Sequence, residues 1–159
     1  MSITDAERRR AIRIALVEEH VGFENRHDLD GIMCMFGVAA RYDEEPWDDH
    51  HIGCDAVRAY YDGSLLAVPD LKIDVRRCHA AEDAVILQVM ISGHQLGAWR
   101  GLPPAGRPLQ FPLSGIFTFD GEDRLAGERI YYGRLEVTAA HPLTLARPIE
   151  QKFLKRHHP

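Results

Sequence analysis

Residues 84–120 read AVILQVMISGHQLGAWRGLPPAGRPLQFPLSGIFTFD, two strand-like runs separated by a long connection rich in Gly and Pro. The first run alternates an aliphatic face with a mixed polar face, and the polar face ends at His94. The connection carries Trp99 and Arg107, which a bend made of turn residues does not require. This pattern indicates either an ordered loop with packing needs of its own or the edge of a binding pocket.

The neighbouring segments extend this pair into a four-stranded antiparallel meander. LKIDVRRC alternates apolar and polar residues ahead of the pair, and LAGERIYYGRLEV follows the tight turn GEDR. Upstream, the pattern predicts an amphipathic helix from about Thr4 to Arg26, with Thr4 and Glu7 as a capping box. Helical spacing predicts that its buried face comprises Ile12, Ala15, Leu16, Glu19 and Phe23.

Shorter segments complete the N-terminal half. HDLDGIMCMF is predicted to form a second helix, GVAARYDEEPW a short strand that ends before Pro46, and CDAVRAYYDGSLLAV a third helix that Pro69 stops. DDHHIG is predicted to be a polar connector. Helices followed by antiparallel strands indicate an α+β fold with the helices on one face of a curved sheet. We expect a single domain over residues 1–140 and a C-terminal tail over residues 141–159.

Composition argues against several classes of function. The 159 residues carry a net charge of −5, and the acidic residues are spread along the chain, which disfavours nucleic acid as a partner. The apolar runs are shorter than the roughly 18 residues of a membrane span. Three cysteines without CxxC spacing, and no secretory segment, predict free thiols in a cytoplasmic protein. Motifs for nucleotide phosphates, zinc proteases and serine hydrolases are missing, so no cofactor is expected.

Three segments resemble the SnoaL-like polyketide cyclases, a group within the nuclear-transport-factor-2-like superfamily. They are GHQLGAWRGLPPAGR, FTFDG and ERIYYGRL, within a resemblance that covers about residues 6 to 138. The resemblance implies a cone, in which a curved antiparallel sheet wraps around the N-terminal helices and leaves an apolar cavity. It also implies a homodimer through the outer face of the sheet and a small hydrophobic molecule as ligand. His94, Trp99 and Arg107 would lie at the open end of the cone.

Four residues are catalytic candidates. The resemblance implies that His94 faces the pocket, where a neutral imidazole would orient a carbonyl or move a proton near pH 7. On the last strand, Glu128 shares a face with Ile130 and Tyr132. Glu128 is the candidate general acid or base, and Tyr42 and Tyr132 are candidate hydrogen-bond donors to an oxyanion. The structural alternatives are a His94 bonded to loop backbone and a Glu128 paired with an arginine.

The pocket walls are predicted from aromatic and apolar side chains, because aromatic faces suit a flat polycyclic ligand. The ligand-binding candidates are Trp47, Tyr60, Met90, Trp99 and Ile130. Ordinary core packing is the alternative for the tyrosine and for Trp99. No metal site is predicted, although one polar loop offers ligand-type side chains. Those side chains, Asp48, Asp49, His50 and His51, are adjacent in an extended loop and would point in opposite directions.

Two departures from related enzymes leave two functional hypotheses open. The water-activating aspartate of the similar limonene epoxide hydrolases would fall at Ile130, and no carboxylate occurs between Gly106 and Asp120, where polyketide cyclases would place theirs. Asp43 or Glu44 is an alternative base. The first hypothesis is cofactor-independent proton transfer, a cyclisation or isomerisation, on a hydrophobic, carbonyl-bearing, polyketide-like substrate. The second is a non-catalytic binding module for a small hydrophobic ligand.

Overall fold

The computed structural model describes residues 4–134 and residue 137. The predicted tail over residues 141–159 lies outside the described residues, and the division at residue 140 stays a prediction. The helices are α1 (Asp5–Arg26), α2 (Leu29–Cys34) and α3 (Cys54–Ala67). The strands are β1 (Phe36–Glu44), β2 (Asp49–Ile52), β3 (Lys72–Ala80), β4 (Ala84–His94), β5 (Pro108–Phe119) and β6 (Leu125–Tyr132).

The strands form one mixed sheet in the order β2-β1-β6-β5-β4-β3. Strands β3 to β6 form the predicted antiparallel meander, and β1 adds to it in parallel beside β6. The predicted polar connector DDHHIG is instead β2, an antiparallel edge strand paired from Arg41↔Ile52 to Glu44↔Asp49. Its polar side chains misled the prediction, because a short edge strand needs backbone pairing on one side and no fully buried face.

Helix α1 begins with the predicted capping box, in which the Thr4 hydroxyl accepts from the Glu7 backbone N–H and the Glu7 carboxylate accepts from the Thr4 N–H. Its predicted buried face is wrong in part: Leu16 and Phe23 pack against the core, but Ile12, Ala15 and Glu19 are exposed. Ile12 is 51% exposed, and the helix instead buries Arg13, Val17, His20, Val21 and Glu24. The face that enters the protein therefore carries a histidine and a glutamate, which apolar spacing cannot select.

The core lies where α1 and α3 pack against the inner face of the sheet, with α1 on β3 and α3 on β1. Its largest fully buried aliphatic side chains are Val17, Ile32, Val57, Val85, Leu87 and Leu125. Each contributes about 1.5 to 3 kcal/mol through burial. The architecture is the expected α+β cone, with an open space between helices and sheet. None of the described helices is long and apolar enough to cross a membrane.

Candidate active site

A cavity opens between α1, α3 and the inner face of the sheet. Strand β4 supplies Leu87, Val89 and Ile91 to its wall, and β5 supplies further aliphatic and aromatic side chains. Polar side chains interrupt this apolar surface at a few places. They are Glu24, Tyr42, Tyr60, Tyr61, Ser64, Glu128 and Tyr132. A mostly apolar pocket with a few convergent polar groups is typical of a small-molecule site.

Four of the buried polar residues form the inner cluster, defined here as His20, Glu24, Tyr61 and Glu128. The Tyr61 hydroxyl donates to Glu128 Oε2 at 2.5 Å and lies 3.1 Å from His20 Nε2. His20 Nε2 is also 3.5 Å from Glu128 Oε2 and 4.0 Å from Glu24 Oε2. Because α1 places residues four apart on one face, His20 and Glu24 reach the same strand residue together.

Burial and neighbouring charges set the protonation of the inner cluster. Burial and the charge of Glu128 raise the pKa of Glu24 to about 8, although His20 opposes this. Burial works against a charged His20, but the nearby carboxyl groups of Glu24 and Glu128 outweigh it, and the pKa of His20 is raised. Burial and the two glutamates raise the pKa of Tyr61 well above its ordinary value. At neutral pH, Glu24 and Tyr61 therefore hold protons inside the cavity wall.

The inner cluster also resembles a metal-ligand set, since the ligand atoms of His20, Glu24 and Glu128 all lie within 4.8 Å of one another. A metal-bound histidine normally donates its second ring N–H to a protein or water partner. Among the described residues, Nδ1 of His20 has no hydrogen-bond partner, and the ring packs edge-on against Phe36 and Phe117. The direct hydrogen bonds between the side chains suit proton transfer better than metal binding.

A second polar group, the loop-side cluster, comprises Glu44, Trp47, Arg100 and Tyr132. The Tyr132 hydroxyl donates to one oxygen of Glu44, and the Arg100 guanidinium binds the other. Trp47 Nε1 donates to the Tyr132 hydroxyl at 2.6 Å. Glu44 is 1% exposed, so its charge is neutralised inside the protein by Arg100. The ion pair with Arg100 makes Glu44, an alternative base predicted from the sequence, a poor one.

The structure places His94 outside the cavity, which corrects its predicted position. Its Nδ1 lies 2.6 Å from Asp70 Oδ2, and its backbone N–H donates to Asp70 Oδ1 at 2.7 Å. The side chain is 49% exposed, and its hydrogen bonds lower the pKa of Asp70. Because the cavity is apolar, β4 turns its aliphatic face inward, and its polar face, which we had assigned to the pocket, points away.

Met90 lies on the same outward face of β4 as His94, so it does not line the cavity, contrary to the prediction. Met90 pairs with Pro112 of β5 on the opposite face of the sheet. Trp47 stands behind the cavity wall, where it contacts Tyr132 and the Trp99 ring, whose centroid is 6.0 Å away. The other candidates lie in the lining as expected from their strand and helix positions. They are Tyr42, Tyr60, Trp99, Glu128, Ile130 and Tyr132.

Sequence reasoning missed three residues of the inner cluster. His20 and Glu24 stand four apart on α1 and share a face with Val17 and Val21, a second helical pattern that competes with the one chosen. Tyr61 follows the predicted pocket residue Tyr60 on α3, but nothing in the sequence indicates that its hydroxyl bonds Glu128. The predicted structural alternative for Glu128, a pair with an arginine, is also absent among the described residues, where its partners are Tyr61 and His20.

An α+β cone around an apolar cavity is the fold of the nuclear-transport-factor-2-like class. The model of one family in this class, the SnoaL-like polyketide cyclases, matches residues 15–140. The chain therefore belongs to the SnoaL-like polyketide cyclase family, which confirms the resemblance seen in the sequence. A comparison with curated protein sequences gave no match.

Solved structures of this class are similar to the chain over most of its length. AclR from Streptomyces galilaeus, a proposed hydroxylase, is 25% identical, with a TM-score of 0.70 over 82% of this chain and 84% of its own. A proposed SnoaL-like polyketide cyclase from Jannaschia sp. CCS1 is 18% identical, with a TM-score of 0.75 over 93% and 99%. The epoxide hydrolase/cyclase-like enzyme SalBIII is 20% identical, with a TM-score of 0.69 over 79% and 94%. The last two likenesses show the fold alone.

Proposed function

We propose that the protein is a cofactor-independent enzyme that moves a proton on a hydrophobic, carbonyl-bearing, polyketide-like molecule held in the cavity. One observation carries this proposal: Glu24, Tyr61 and Glu128 meet in the wall of an apolar cavity with no arginine or lysine among their described partners. Acid and base residues placed in contrasting environments are the usual basis of proton-transfer catalysis. Glu128 keeps the acid/base role predicted for it, and Glu24 and Tyr61 join it in place of His94.

The chemistry assigns one role to each carboxyl group. The Glu128 carboxylate removes a proton from the carbon next to the substrate carbonyl, while the Glu24 carboxylic acid donates to the carbonyl oxygen, giving an enol. In a cyclisation, the enol carbon then attacks a second carbonyl carbon. The new alkoxide takes up the proton held by Glu128, and Glu24 regains its own from the first oxygen. In an isomerisation, Glu128 returns its proton to a different carbon of a conjugated enol, and Glu24 regains its own from the oxygen as the carbonyl re-forms.

The substrate class rests on the cavity walls and on the relatives. Tyr42 and Tyr60 stack with ring centroids 4.1 Å apart beside the aliphatic wall, which suits a flat and largely apolar ligand. Burial raises the pKa of Tyr42 well above its ordinary value, so Tyr42 stays a neutral hydrogen-bond donor. The relatives named above include a proposed polyketide cyclase and SalBIII, which has a role in pyran ring formation in the polyether salinomycin.

Assembly and location complete the proposal. The outer face of the sheet presents Ile86, Met90 and Ile116, all half-buried, next to Tyr131, which is 41% exposed. This surface supports the homodimer implied by the family. All three cysteines are free and exposed, which supports a cytoplasmic protein in a reducing environment.

The test follows exchange of the α-protons of 2-tetralone, a hydrophobic bicyclic ketone, for deuterium in D₂O by NMR. The wild-type protein should accelerate the exchange above the buffer rate, because a positioned base removes the proton. Glu128→Gln should lower the acceleration about 100-fold or more. Glu19→Gln, an exposed position on α1, is the matched control and should leave the rate unchanged. An unchanged rate for Glu128→Gln contradicts the proposal.

The binding-module alternative is favoured by Ile130, which lines the cavity where the similar limonene epoxide hydrolases would carry the water-activating aspartate. It predicts that 2-tetralone binds, as measured by calorimetry, while the wild-type protein gives no exchange above the buffer rate. Saturable binding without exchange decides for the alternative.

A further inference from the structure

The connection between β4 and β5, residues 95–107, contains a tight hairpin of its own. Trp99 and Leu102 exchange backbone hydrogen bonds of 3.0 and 2.8 Å. The two residues between them both have positive φ, 49° at Arg100 and 74° at Gly101. A two-residue turn of this kind normally takes Asn-Gly or Gly-Gly, because L-residues with a long side chain are strained at positive φ. An arginine held in this conformation points to a role for its side chain.

The Arg100 side chain turns inward and is 19% exposed. Its guanidinium binds the buried carboxylate of Glu44 and lies 3.0 Å from Asp49 Oδ2. The guanidinium carbon is 5.0 Å from the Trp47 ring centroid and 5.7 Å from that of Trp99, within range of cation–π attraction. Its Nε is buried and has no hydrogen-bond partner among the described residues.

This ion pair connects the loop to the cavity wall. The second oxygen of Glu44 accepts the hydrogen bond of the Tyr132 hydroxyl, and both Tyr132 and Trp99 line the cavity. The proton of Tyr132 is therefore directed at Glu44 and away from a ligand. A displacement of Arg100 would leave Glu44 buried and unpaired, and would at the same time free the loop that carries Trp99.

We propose that Arg100 is a positioning residue that latches loop 95–107 over the cavity and controls how fast a ligand enters and leaves. Release of the latch moves Trp99 out of the cavity wall, while the Tyr132 hydroxyl stays bonded to Glu44. This inference rests on the ligand-binding part of the proposed function and does not require turnover.

The sequence supplies a direct probe, since the two tryptophans of the chain, Trp47 and Trp99, both contact Arg100. Stopped-flow quenching of their fluorescence by 1-hydroxyanthraquinone measures binding and release rates. Arg100→Ala should raise both rates about tenfold, with a smaller change in their ratio, because the latch opposes entry and exit alike. A low millimolar concentration of guanidinium should restore the slow rates by occupying the vacated space. Arg107→Ala, exposed at the end of the same loop, is the matched control and should behave as wild type.

Two further measurements distinguish a failure of the latch from a failure of the proposed function. Glu44→Gln/Arg100→Ala removes the unpaired carboxylate, so it should fold and stay fast, but guanidinium should no longer slow it. Acrylamide quenching of tryptophan fluorescence in the ligand-free protein should be stronger in Arg100→Ala than in wild type, and it should fall on addition of guanidinium. This measurement does not depend on whether the ketone or the quinone binds. Wild-type rates and wild-type quenching in Arg100→Ala overturn the latch, even if the 2-tetralone experiment succeeds.

Discussion

The inner cluster and the loop-side cluster are built from the same pair of groups, a buried glutamate that accepts a hydrogen bond from a tyrosine. In the inner cluster the pair is Glu128 with Tyr61, and the nearby nitrogen belongs to His20. In the loop-side cluster the pair is Glu44 with Tyr132, and the nearby nitrogen belongs to an arginine. The two clusters therefore differ mainly in the cation that faces the carboxylate.

That difference assigns proton exchange to the inner cluster and a structural role to the loop-side cluster. An arginine stays charged at every physiological pH, so it provides a permanent positive charge beside the buried carboxyl group. A histidine, in contrast, can gain or lose a proton near neutral pH. The inner cluster also contains the carboxyl group of Glu24, so several of its groups can exchange protons. We infer that a buried acid compensated by arginine positions parts of this fold, whereas one compensated by histidine is free to exchange protons.

The largest expected effect comes from breaking the loop-side pair. Arg100→Ala leaves Glu44 buried without its cation, and this should lower the free energy of unfolding by about 3 kcal/mol. Urea denaturation measures the loss. The Glu44→Gln/Arg100→Ala variant should regain most of it, because no unpaired charge remains. A loss in the double variant as large as in Arg100→Ala would mean that packing of the arginine, and not its charge, matters.

Removing one hydroxyl from each cluster sharpens the comparison. Tyr61→Phe deletes a hydrogen bond to the proposed base, and should slow 2-tetralone exchange about tenfold, since hydrogen bonds to charged groups contribute about 1.5 to 3 kcal/mol. Tyr132→Phe should change the exchange rate by less than about threefold, because its hydroxyl is committed to Glu44. Equal losses of exchange rate in the two variants would show that catalysis is not confined to the inner cluster.

The inner cluster should also make stability depend on pH. The unfolded chain releases the Glu24 proton near the ordinary pKa of 4.5, whereas the folded protein holds it until about 8. Stability from this group is thus fully present below 4.5 and is lost as pH rises towards 8, and the raised pKa of His20 acts in the same direction. We expect Tm to fall by a few degrees over this interval, and Glu24→Gln to flatten the curve. A Tm that rises over the interval in wild type contradicts the assignment.

The smallest effect is expected at His94. His94→Ala removes a half-exposed ion pair with Asp70, which should cost about 1 kcal/mol or less. The 2-tetralone exchange rate should match that of the wild-type protein, because the imidazole lies outside the cavity. A tenfold loss of exchange would return His94 to the catalytic site and remove the basis for preferring the inner cluster.

Much of the fold was predictable, because period and capping are local properties. The Thr4 capping box, the alternation in β4 and the shared face of Glu128, Ile130 and Tyr132 all follow from neighbouring residues. The orientation of β4 was not predictable in the same way. The alternation of residues along β4 defines two faces but does not say which one lines the cavity. In the structure, the aliphatic face lines it.

The inner cluster shows what local patterns omit. His20 is stable inside the protein because Tyr61 on α3 and Glu128 on β6, both distant along the chain, provide its polar partners, and Glu24 lies 4.0 Å from the same ring. A search for apolar spacing on α1 rejects such a face. Arg100 was missed for a related reason, since its inward direction depends on a strained turn and on Glu44 in a distant strand.

The central claim, that the inner cluster holds an exchangeable proton on Glu24 at neutral pH, is tested most directly by ¹³C NMR of glutamate labelled at its side-chain carboxyl carbon. The account predicts one resonance, missing from Glu24→Gln, that titrates near pH 8. A Glu24 resonance that titrates near the ordinary value of 4.5 would contradict the account, because the cavity would then contain no carboxylic acid to donate to a carbonyl oxygen.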